Sequence, residues 1–264
     1  MTDLLTTRSG RVKAARKLTR RRKRAEHRLF LVEGTKAISE ALALDGCVVE
    51  VFATAAATSS YDDLRGAVTG RGLPWQVAED DAVASLSGTV TPQGIVGVCR
   101  FLDVPLAEVA GTDGFLAVCA DVRDPGNAGT VLRTADAAGA SGVVLAGHSV
   151  DPYNDKTVRA TVGSLFHLPV AVEPDPATVV RTLQQAGWTV LAADGAGKTG
   201  LFDADELLAG RVAWLFGNEA WGLPEDLAAV VDHRVAIPIL GRAESLNLAT
   251  AAAVCLYATA RARR

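Results

Sequence analysis

The feature that most constrains the fold is a series of continuous apolar runs in the C-terminal half of the chain. A strand with one face in water alternates apolar and polar residues, whereas a strand covered on both faces is apolar throughout. Helical patterns separate most of these runs, so the sequence predicts an α/β domain built on a parallel sheet. The predicted strands are 115–120, 142–146, 168–172, 188–193, 212–216 and 234–237, followed by a final amphipathic helix over 245–262.

The residues before this sheet predict a second, smaller α/β domain over 29–103. Apolar runs at 29–32, 48–53, 75–77 and 95–101 alternate with helical patterns at 35–44, 61–68 and 80–86. Pro105 and Gly111 mark 104–114 as a linker, which leaves 115–264 as the larger domain. With 264 residues and 49% apolar types, the chain is long enough to bury two modest cores.

Charge is distributed unevenly along the chain. The formal net charge is only −3, yet residues 1–28 contain eleven of the 27 lysines and arginines, against two acids, Asp3 and Glu26. A basic N-terminal arm on a mildly acidic body suggests a polyanionic partner. A solvated terminus that only aids solubility explains the same charges, and the sequence leaves both interpretations open.

The spacing of the cysteines and histidines does not indicate a metal site. Cys47, Cys99, Cys119 and Cys255 lie far apart and have no metal-ligand spacing, and the four histidines are scattered. We therefore expect reduced, buried cysteines in a reducing compartment. The first 30 residues lack the apolar segment of a signal peptide, and no stretch approaches the ~18–20 apolar residues of a membrane span. These observations predict a cytoplasmic protein without a membrane partner.

Ligands of open α/β sheets bind beyond the carboxyl ends of the strands, so the loops that leave each predicted strand are informative. In the first, 121–129, proline and glycine shape a tight turn, and Asn127 is predicted to cap the next helix. Arg133 then lies within about two turns of the positive end of that helix. Backbone N–H groups and a guanidinium together suit a phosphate or a developing oxyanion. An ordinary capped helix with a surface arginine fits the same residues.

Two later loops also contain unexpected polar residues. Residues 215–224 place glycines around Asn218 and Glu219, a pairing that a plain strand-to-helix turn does not explain. Residues 237–247 lead into the last helix, where Ser245 is a candidate N-cap. Asn247 has poor helix propensity, so its position in the first turn of an apolar helix implies a specific contact.

A glycine-rich segment at 195–200 fits both a dinucleotide-binding fingerprint and the end of a P-loop. A P-loop requires glycine where this chain has Ala192, and a dinucleotide fingerprint opens a long helix that is not predicted here. We therefore interpret the segment as a turn and keep a dinucleotide-dependent enzyme as an alternative.

The three polar loops together resemble a known family. Residues 127–135, then 217–224, then 237–247 match in order and spacing the three motifs of the SpoU/TrmH branch of the SPOUT RNA 2′-O-ribose methyltransferases. The resemblance covers about residues 115–262 and is specific, because three separate signatures agree. Residues ~25–100, in which Glu33 and Gly34 lead into a helix, are similar to the ribosomal L30e-type substrate-binding domain that precedes the catalytic domain in many members.

The resemblance implies a parallel sheet with a trefoil knot, a homodimer, and S-adenosylmethionine (AdoMet) bound in the knot. One departure is Ala220, where many members have glycine. By position, the catalytic residues are Asn127, Arg133, Glu219, Ser245 and Asn247. The residues expected to line the cofactor pocket are Phe216, Gly217, Ile237, Leu240 and Leu246.

The function implied is the AdoMet-dependent methylation of an RNA ribose 2′-hydroxyl, with 23S ribosomal RNA as the expected substrate. A transfer RNA methyltransferase is one alternative, and a non-catalytic RNA-binding or assembly factor of the same fold is another. Family accounts make the first-motif arginine a general base. Because a guanidinium stays protonated in proteins, we favour a charged Arg133 that anchors a phosphate and stabilises the alkoxide.

Overall fold

A computed structural model describes residues 4–264, so the first three residues of the predicted basic arm, including Asp3, lie outside the described part. The helices are α1 (Gly10–Lys17), α2 (Arg21–His27), α3 (Thr35–Ala43), α4 (Ala55–Ser60), α5 (Asp62–Gly70), α6 (Asp80–Ala84), α7 (Leu106–Ala110), α8 (Pro125–Ala138), α9 (Asp155–Thr161), α10 (Pro176–Gln185), α11 (Asp205–Leu208), α12 (Glu225–Ala228) and α13 (Leu248–Ala262). The strands are β1 (Leu29–Glu33), β2 (Val48–Ala53), β3 (Trp75–Val77), β4 (Ile95–Arg100), β5 (Phe115–Ala120), β6 (Gly142–Ala146), β7 (Val170–Glu173), β8 (Thr189–Ala193), β9 (Thr199–Gly200), β10 (Val212–Phe216) and β11 (His233–Ala236). Short 3₁₀ turns lie at Ser164–Phe166 and Leu201–Asp203.

The first compact unit comprises the chain up to Leu102 together with Tyr153–Phe166. Its four-stranded mixed sheet has the order β1-β4-β2-β3, in which β4 is antiparallel to both neighbours and β2 is parallel to β3. Residues 153–166 pack here through rings, because Tyr153 stacks on Phe101 with centroids 3.8 Å apart. The sequence did not assign this later segment to the smaller unit.

The basic N-terminal segment is folded over residues 4–28. In α1 and the residue after it, Val12, Ala15 and Leu18 are buried in the same core cluster as Phe52. Arg24 in α2 is also buried, and its guanidinium donates to the carbonyls of Leu18 and Thr19 at 3.0 and 2.9 Å. The apolar face of α1 therefore anchors the segment, which is not the loosely solvated terminus that its composition also allowed.

The second unit comprises Asp103–Pro152 and His167–Arg264. Its seven strands are all parallel, in the order β7-β6-β5-β10-β8-β11-β9, which confirms the α/β prediction for the C-terminal half. The two-residue strand β9 was not predicted, since it carries no apolar run. Within residues 4–264, no helix combines the length and apolarity needed to cross a bilayer.

The expected linker 104–114 is part of the second unit's core. It contains α7, in which Val109 and Ala110 are buried. The Ala110 carbonyl accepts a hydrogen bond from the indole nitrogen of Trp188 at 2.9 Å, so the segment is fixed by both packing and hydrogen bonding. Proline and glycine here mark the two ends of a short helix, not a flexible connection.

The strand order brings four loops to one edge of the second sheet. Strands β5, β10, β8 and β11 are consecutive neighbours and parallel, so the loops that follow them lie side by side. Helix α13 covers this region, where buried Trp214 of β10 donates to the Thr259 hydroxyl at 2.8 Å. Replacing Trp214 with alanine is expected to cost about 3–5 kcal/mol of stability.

Candidate active site

The loops after β8, β10 and β11, with the first turns of α13, enclose a cavity of about 380 Å³ at the carboxyl edge of the second sheet. Its walls combine glycine backbone and apolar side chains with a few carboxylates, a composition typical of small-molecule sites. The residues that line it are Ala193, Asp194, Gly195, Phe216, Gly217, Asn218, Glu219, Ala220, Gly222, Ile237, Ile239, Glu244, Ser245, Leu246, Leu248 and Ala251.

Glu219 joins the loop after β10 to the loop after β5. Its Oε1 accepts from the side-chain amide of Asn127 at 3.1 Å and from the backbone N–H of Asp124 at 3.3 Å. Its Oε2 accepts from the backbone N–H of Arg123 at 3.4 Å. The carboxylate thus lies at the N-terminus of α8, where the helix dipole favours negative charge.

Asn247 adds the third loop to this network. Its side-chain amide donates to Asn127 Oδ1 at 3.1 Å, while its own Oδ1 accepts from the backbone N–H groups of Ala249 and Thr250. Asn247 is therefore the N-cap of α13, and the helix begins at Leu248, three residues later than predicted. Ser245 lines the cavity but does not cap the helix, because Asn247 makes the capping bonds.

The predicted cap of α8 is also corrected. Asp124 is the N-cap, and it accepts from the Asn127 backbone N–H at 2.7 Å. Because Asp124 satisfies the free N–H group, the Asn127 side chain is available to Glu219 and Asn247. Three residues separated by about 90 and 120 positions in sequence thus form one continuous chain of hydrogen bonds.

Asn218 joins the loop after β10 to the first residue after β5. It is buried, and its side-chain amide donates to the Asp121 carbonyl at 2.7 Å. Asp121 has a left-handed backbone with φ of 56°, which aspartate tolerates better than most residues. This turn aims the carbonyl at Asn218, so the unusual backbone is a part of the site's construction.

Gly217 must be glycine for the two sides of the β10 loop to approach. A Cβ at this position would lie 2.5 Å from the carbonyl carbon of Gly222 and 2.7 Å from the backbone nitrogen of Leu223. Neither backbone atom can move away without opening the loop. The close approach leaves the Gly217 backbone lining the cavity.

Two predicted site residues lie apart from this network. Leu240 is 89% exposed and does not line the cavity, because the loop after β11 presents Ile237, Ile239 and Leu246 instead. Arg133 is exposed on α8, and within residues 4–264 its guanidinium has no hydrogen-bond or ion-pair partner. Six helical positions place it about 120° around the helix from Asn127, which faces Glu219.

The structure also brings in residues that the sequence interpretation set aside or missed. Asp194 and Gly195, which begin the glycine-rich segment after β8, line the cavity. The rule that ligands bind at strand carboxyl ends would have found them. Arg123 and Trp221 form a cation–π pair, with the guanidinium 5.0 Å from the ring centroid.

An ion pair holds one of the carboxylates that line the cavity. Asp194 accepts from the Arg234 guanidinium at 2.8 Å, and this contact raises the pKa of Arg234. Beneath the network, burial and then the charge of Glu219 raise the pKa of the Cys119 thiol to about 12. All four cysteines are free and buried. The described part of the chain contains no cluster of histidine, cysteine and carboxylate groups suited to a metal ion.

Comparison with known proteins identifies similar chains along almost the whole length. A 23S rRNA (guanosine(2553)-2′-O)-methyltransferase, RlmP from Bacillus subtilis, is 34% identical over 257 residues, which is 97% of this chain and 98% of that protein. The crystal structure of an AdoMet-bound rRNA methyltransferase from Sinorhizobium meliloti has a TM-score of 0.84 and 34% identity, and the alignment covers 96% of this chain and 95% of that one.

The SpoU methyltransferase AviRb from Streptomyces viridochromogenes, solved in complex with AdoMet, is similar as well. Its TM-score is 0.85 at 30% identity, with 96% of this chain and 98% of that chain covered. Two family models match separate parts of the sequence. An MRM3-like substrate-binding domain matches residues 10–97, and the SpoU rRNA methylase family matches residues 114–257.

These matches confirm the family and the enzyme class predicted from the three motifs, and they cover the loops that meet at the cavity. The chain belongs to the SpoU rRNA methylase family.

Proposed function

We propose that this protein transfers the methyl group of AdoMet to a ribose 2′-hydroxyl of 23S ribosomal RNA. The observation that carries the proposal is the hydrogen-bonded chain of Asn127, Glu219 and Asn247 at the rim of a cavity that contains Gly217. The Bacillus subtilis relative methylates 23S RNA, and two similar structures hold AdoMet.

The cavity fits this cofactor on three counts. Its volume, about 380 Å³, lies within the usual range for small-molecule pockets of ≈ 300–1,000 Å³. Phe216, Ile237 and Leu246 offer apolar surface for an adenine ring, and the close-packed Gly217 presents backbone polar groups. Carboxylates of Asp194 and Glu244 are acceptors for ribose hydroxyls or an ammonium group.

The residues of the network would hold the RNA ribose in position. Bound AdoMet supplies a methyl group on a positively charged sulfonium, which is already electrophilic. The 2′-oxygen would take up this methyl group as its carbon–sulfur bond breaks to leave a neutral thioether, and the hydroxyl proton would pass to solvent. The site therefore has to align this oxygen and stabilise its developing charge. Asn127 and Asn247 are fixed at both ends by hydrogen bonds, which keeps their geometry constant during the reaction.

We further propose that the enzyme is a homodimer and that Arg133 serves the site of a second copy. Arg133 is exposed, lies about 120° around α8 from Asn127, and has no hydrogen-bond or ion-pair partner in the described chain. Large apolar side chains in the loop after β11 and in α13 are also exposed, among them Leu240 at 89% and Tyr257 at 53%. Aromatic side chains are enriched at protein interfaces, and exposed apolar side chains that form a contiguous patch commonly mark one.

Mixing two inactive variants tests this arrangement. Arg133→Ala retains Glu219, and Glu219→Gln retains Arg133, so a mixed dimer contains one complete site if Arg133 crosses between copies. We expect methyl transfer to return on mixing, to about a quarter of the wild-type level. Activity that stays absent in mixed dimers, with the dimer verified by light scattering, would assign Arg133 to its own subunit or remove it from the mechanism.

We also propose that the second unit contains the trefoil knot that the resemblance implies. Strand β10 lies between the earlier strands β5 and β8, the chain then crosses to β11 beyond β8, and α13 returns to pack on α8 and β10. A segment inserted between earlier strands and then covered in this way suits a knotted path. Stretching single molecules should leave a contour length shorter than that of the fully extended chain; full extension would refute the knot.

The direct test of function is methylation of defined RNAs. Purified protein, tritiated AdoMet and unmodified 23S rRNA transcripts are expected to give labelled RNA with one 2′-O-methyl nucleotide by mass mapping. Labelling of transfer RNA alone would favour the alternative substrate. AdoMet binding without labelling of any RNA would favour an assembly factor, and the absence of AdoMet binding by calorimetry would refute the enzyme.

We propose that the first unit binds the RNA, in part through its basic helices. Residues 10–97 match a substrate-binding domain, and Arg20, Arg21 and Arg22 are exposed there. Their side chains have no hydrogen-bond or ion-pair partner among the residues that the structure describes. Unpaired cations on a folded surface suit the phosphate backbone of RNA.

A further inference from the structure

Arg123 and Trp221 form an exposed pair beside the network of Asn127, Glu219 and Asn247. The proposed mechanism gives this pair no role. The Arg123 guanidinium lies 5.0 Å from the centroid of the Trp221 ring, and the tryptophan is still 54% exposed. Trp188 and Trp214 in the same unit are both buried. An indole left open to solvent and supported on one side by a cation is an unusual surface feature.

The loop holds Trp221 in a fixed position. Asn218 and Gly222 exchange two backbone hydrogen bonds of 2.9 Å, and Asn218 Oδ1 accepts from the Ala220 N–H at 2.8 Å. Gly222 closes the turn with φ of +69°. Because the turn is already ordered, a partner that stacks on the ring loses little conformational entropy from the protein side.

Trp221 lies next to the place where the ribose is expected. It follows Glu219 by two residues, a separation of at most ~7 Å along the chain. Arg123 contacts the same carboxylate through its backbone N–H at 3.4 Å. The nucleobase of the reacting nucleotide is attached to the ribose that carries the 2′-hydroxyl, so this base has to find a partner within a few ångströms of the site.

We propose that the Trp221 ring, supported by Arg123, is the surface on which the base of the methylated nucleotide stacks. The inference rests on the proposed function. Proteins recognise unpaired RNA bases by stacking them on aromatic rings and guanidinium planes. Stacking accepts any base, so this platform selects an unpaired nucleotide over a paired one, and the rest of the RNA surface selects the sequence.

The test compares three variants of the full-length protein with a 23S rRNA fragment. Trp221→Ala should raise KM for the RNA about 10- to 100-fold, while Trp221→Phe, which keeps an aromatic ring, should stay within about threefold of wild type. Phe202→Ala removes another exposed aromatic side chain of the second unit, which does not line the cavity, and should leave KM unchanged. AdoMet affinity by calorimetry should be the same in all of them.

An RNA that lacks one base isolates the stacking contact. The same fragment with an abasic ribose at the methylated position should show a raised KM with wild-type protein and no further rise with Trp221→Ala. If the abasic RNA and Trp221→Ala each raised KM and their effects multiplied when combined, this result would overturn the proposal. So would a Trp221→Ala variant that changes from the wild-type oligomeric mass in light scattering, because Trp221 would then belong to a contact between copies.

Failure of the proposed function gives a different pattern. A wild-type protein that binds RNA without methylating it would refute the function, and the platform would then be tested by RNA affinity in filter binding. Equal affinities of wild type and Trp221→Ala for the intact fragment would overturn the platform, whatever the activity.

Discussion

The loops at the edge of the second sheet and the basic helices of the first unit treat their polar groups in opposite ways. In the loops, Glu219, Asn127 and Asn247 bond to one another and to backbone groups. On the basic helices, Arg20, Arg21 and Arg22 point into solvent without partners in residues 4–264. The loops use their polar groups in hydrogen bonds within the protein, whereas the basic helices leave theirs available to another molecule.

This difference separates two tasks. Side chains that hydrogen-bond to each other have one geometry, which suits a reaction that has to align an oxygen with a methyl group. Exposed, partnerless cations have no fixed geometry and carry charge that a polyanion neutralises. Changes in the loops should therefore act on AdoMet binding and turnover, whereas changes on the basic helices should act on RNA affinity and its dependence on salt.

The largest effect is expected from Gly217→Ala. The new Cβ would lie 2.5 Å from the Gly222 carbonyl carbon, so the loop has to open and the cavity changes shape. We expect AdoMet affinity, measured by calorimetry, to fall more than about 100-fold, which is roughly 3 kcal/mol. Gly241→Ala is the matched control, since its Cβ would meet no atom within 4 Å. Normal AdoMet affinity in Gly217→Ala would show that the loop is not rigid.

The next largest effect is expected from Glu219→Gln. The amide removes the charge at the N-terminus of α8 and replaces an acceptor of backbone N–H groups with a donor. The turnover number kcat should fall about 100-fold, as for the loss of one preorganised polar group in other active sites. Glu206→Gln controls for the loss of one carboxylate in the same unit, because Glu206 is exposed, does not line the cavity and has no side-chain partner in the described chain. A similar fall in kcat in both variants would mean that the hydrogen bonds of Glu219 do not matter for turnover.

The sequence allowed the fold to be predicted where the pattern is local. Buried parallel strands are apolar along their whole length, so β5, β6 and β10 were predicted with their observed bounds. Strand β9 and the first-unit placement of 153–166 have no such pattern, since they depend on which distant segments come together. The folded state of the basic segment was left open because the surrounding charges masked the apolar positions Val12, Ala15 and Leu18 in and just after α1.

The candidate site could be predicted in part through the family resemblance. The three matching motifs implied Asn127, Glu219 and Asn247 as site residues, and the fold brings these three side chains together. The caps predicted for α8 and α13, Asn127 and Ser245, were wrong, because Asp124 and Asn247 are equally suitable neighbours and tertiary contacts decide between them. The placement of Trp221 against Arg123 had no sequence signal, since it joins two loops about a hundred residues apart.

A smaller effect is expected when charge is removed from the basic helices. Changing Arg20, Arg21 and Arg22 together to glutamine should weaken RNA binding about tenfold and reduce the slope of log affinity against log salt by about 2. Deletion of the segment is a poor test, because Val12 and Leu18 are in the core. A double change of Arg65 and Arg181 to glutamine, cations paired with aspartates, is the control. An unchanged salt slope in the triple variant would remove these helices from RNA binding.

The smallest effect is expected on stability. Asn247→Ala loses the cap of α13 and the bond to Asn127, and caps are typically worth ~1 kcal/mol. Its Tm in calorimetry should fall by about 2–4 °C. Asn247→Asp keeps an acceptor for the cap but cannot donate to Asn127, so it should retain most of the Tm and still lower kcat. Arg22→Gln, which breaks no contact, should leave Tm unchanged. Equal Tm values for Asn247→Ala and Arg22→Gln would mean that hydrogen bonding within the loops adds no rigidity, and the contrast between paired and unpaired regions would then lose its physical basis.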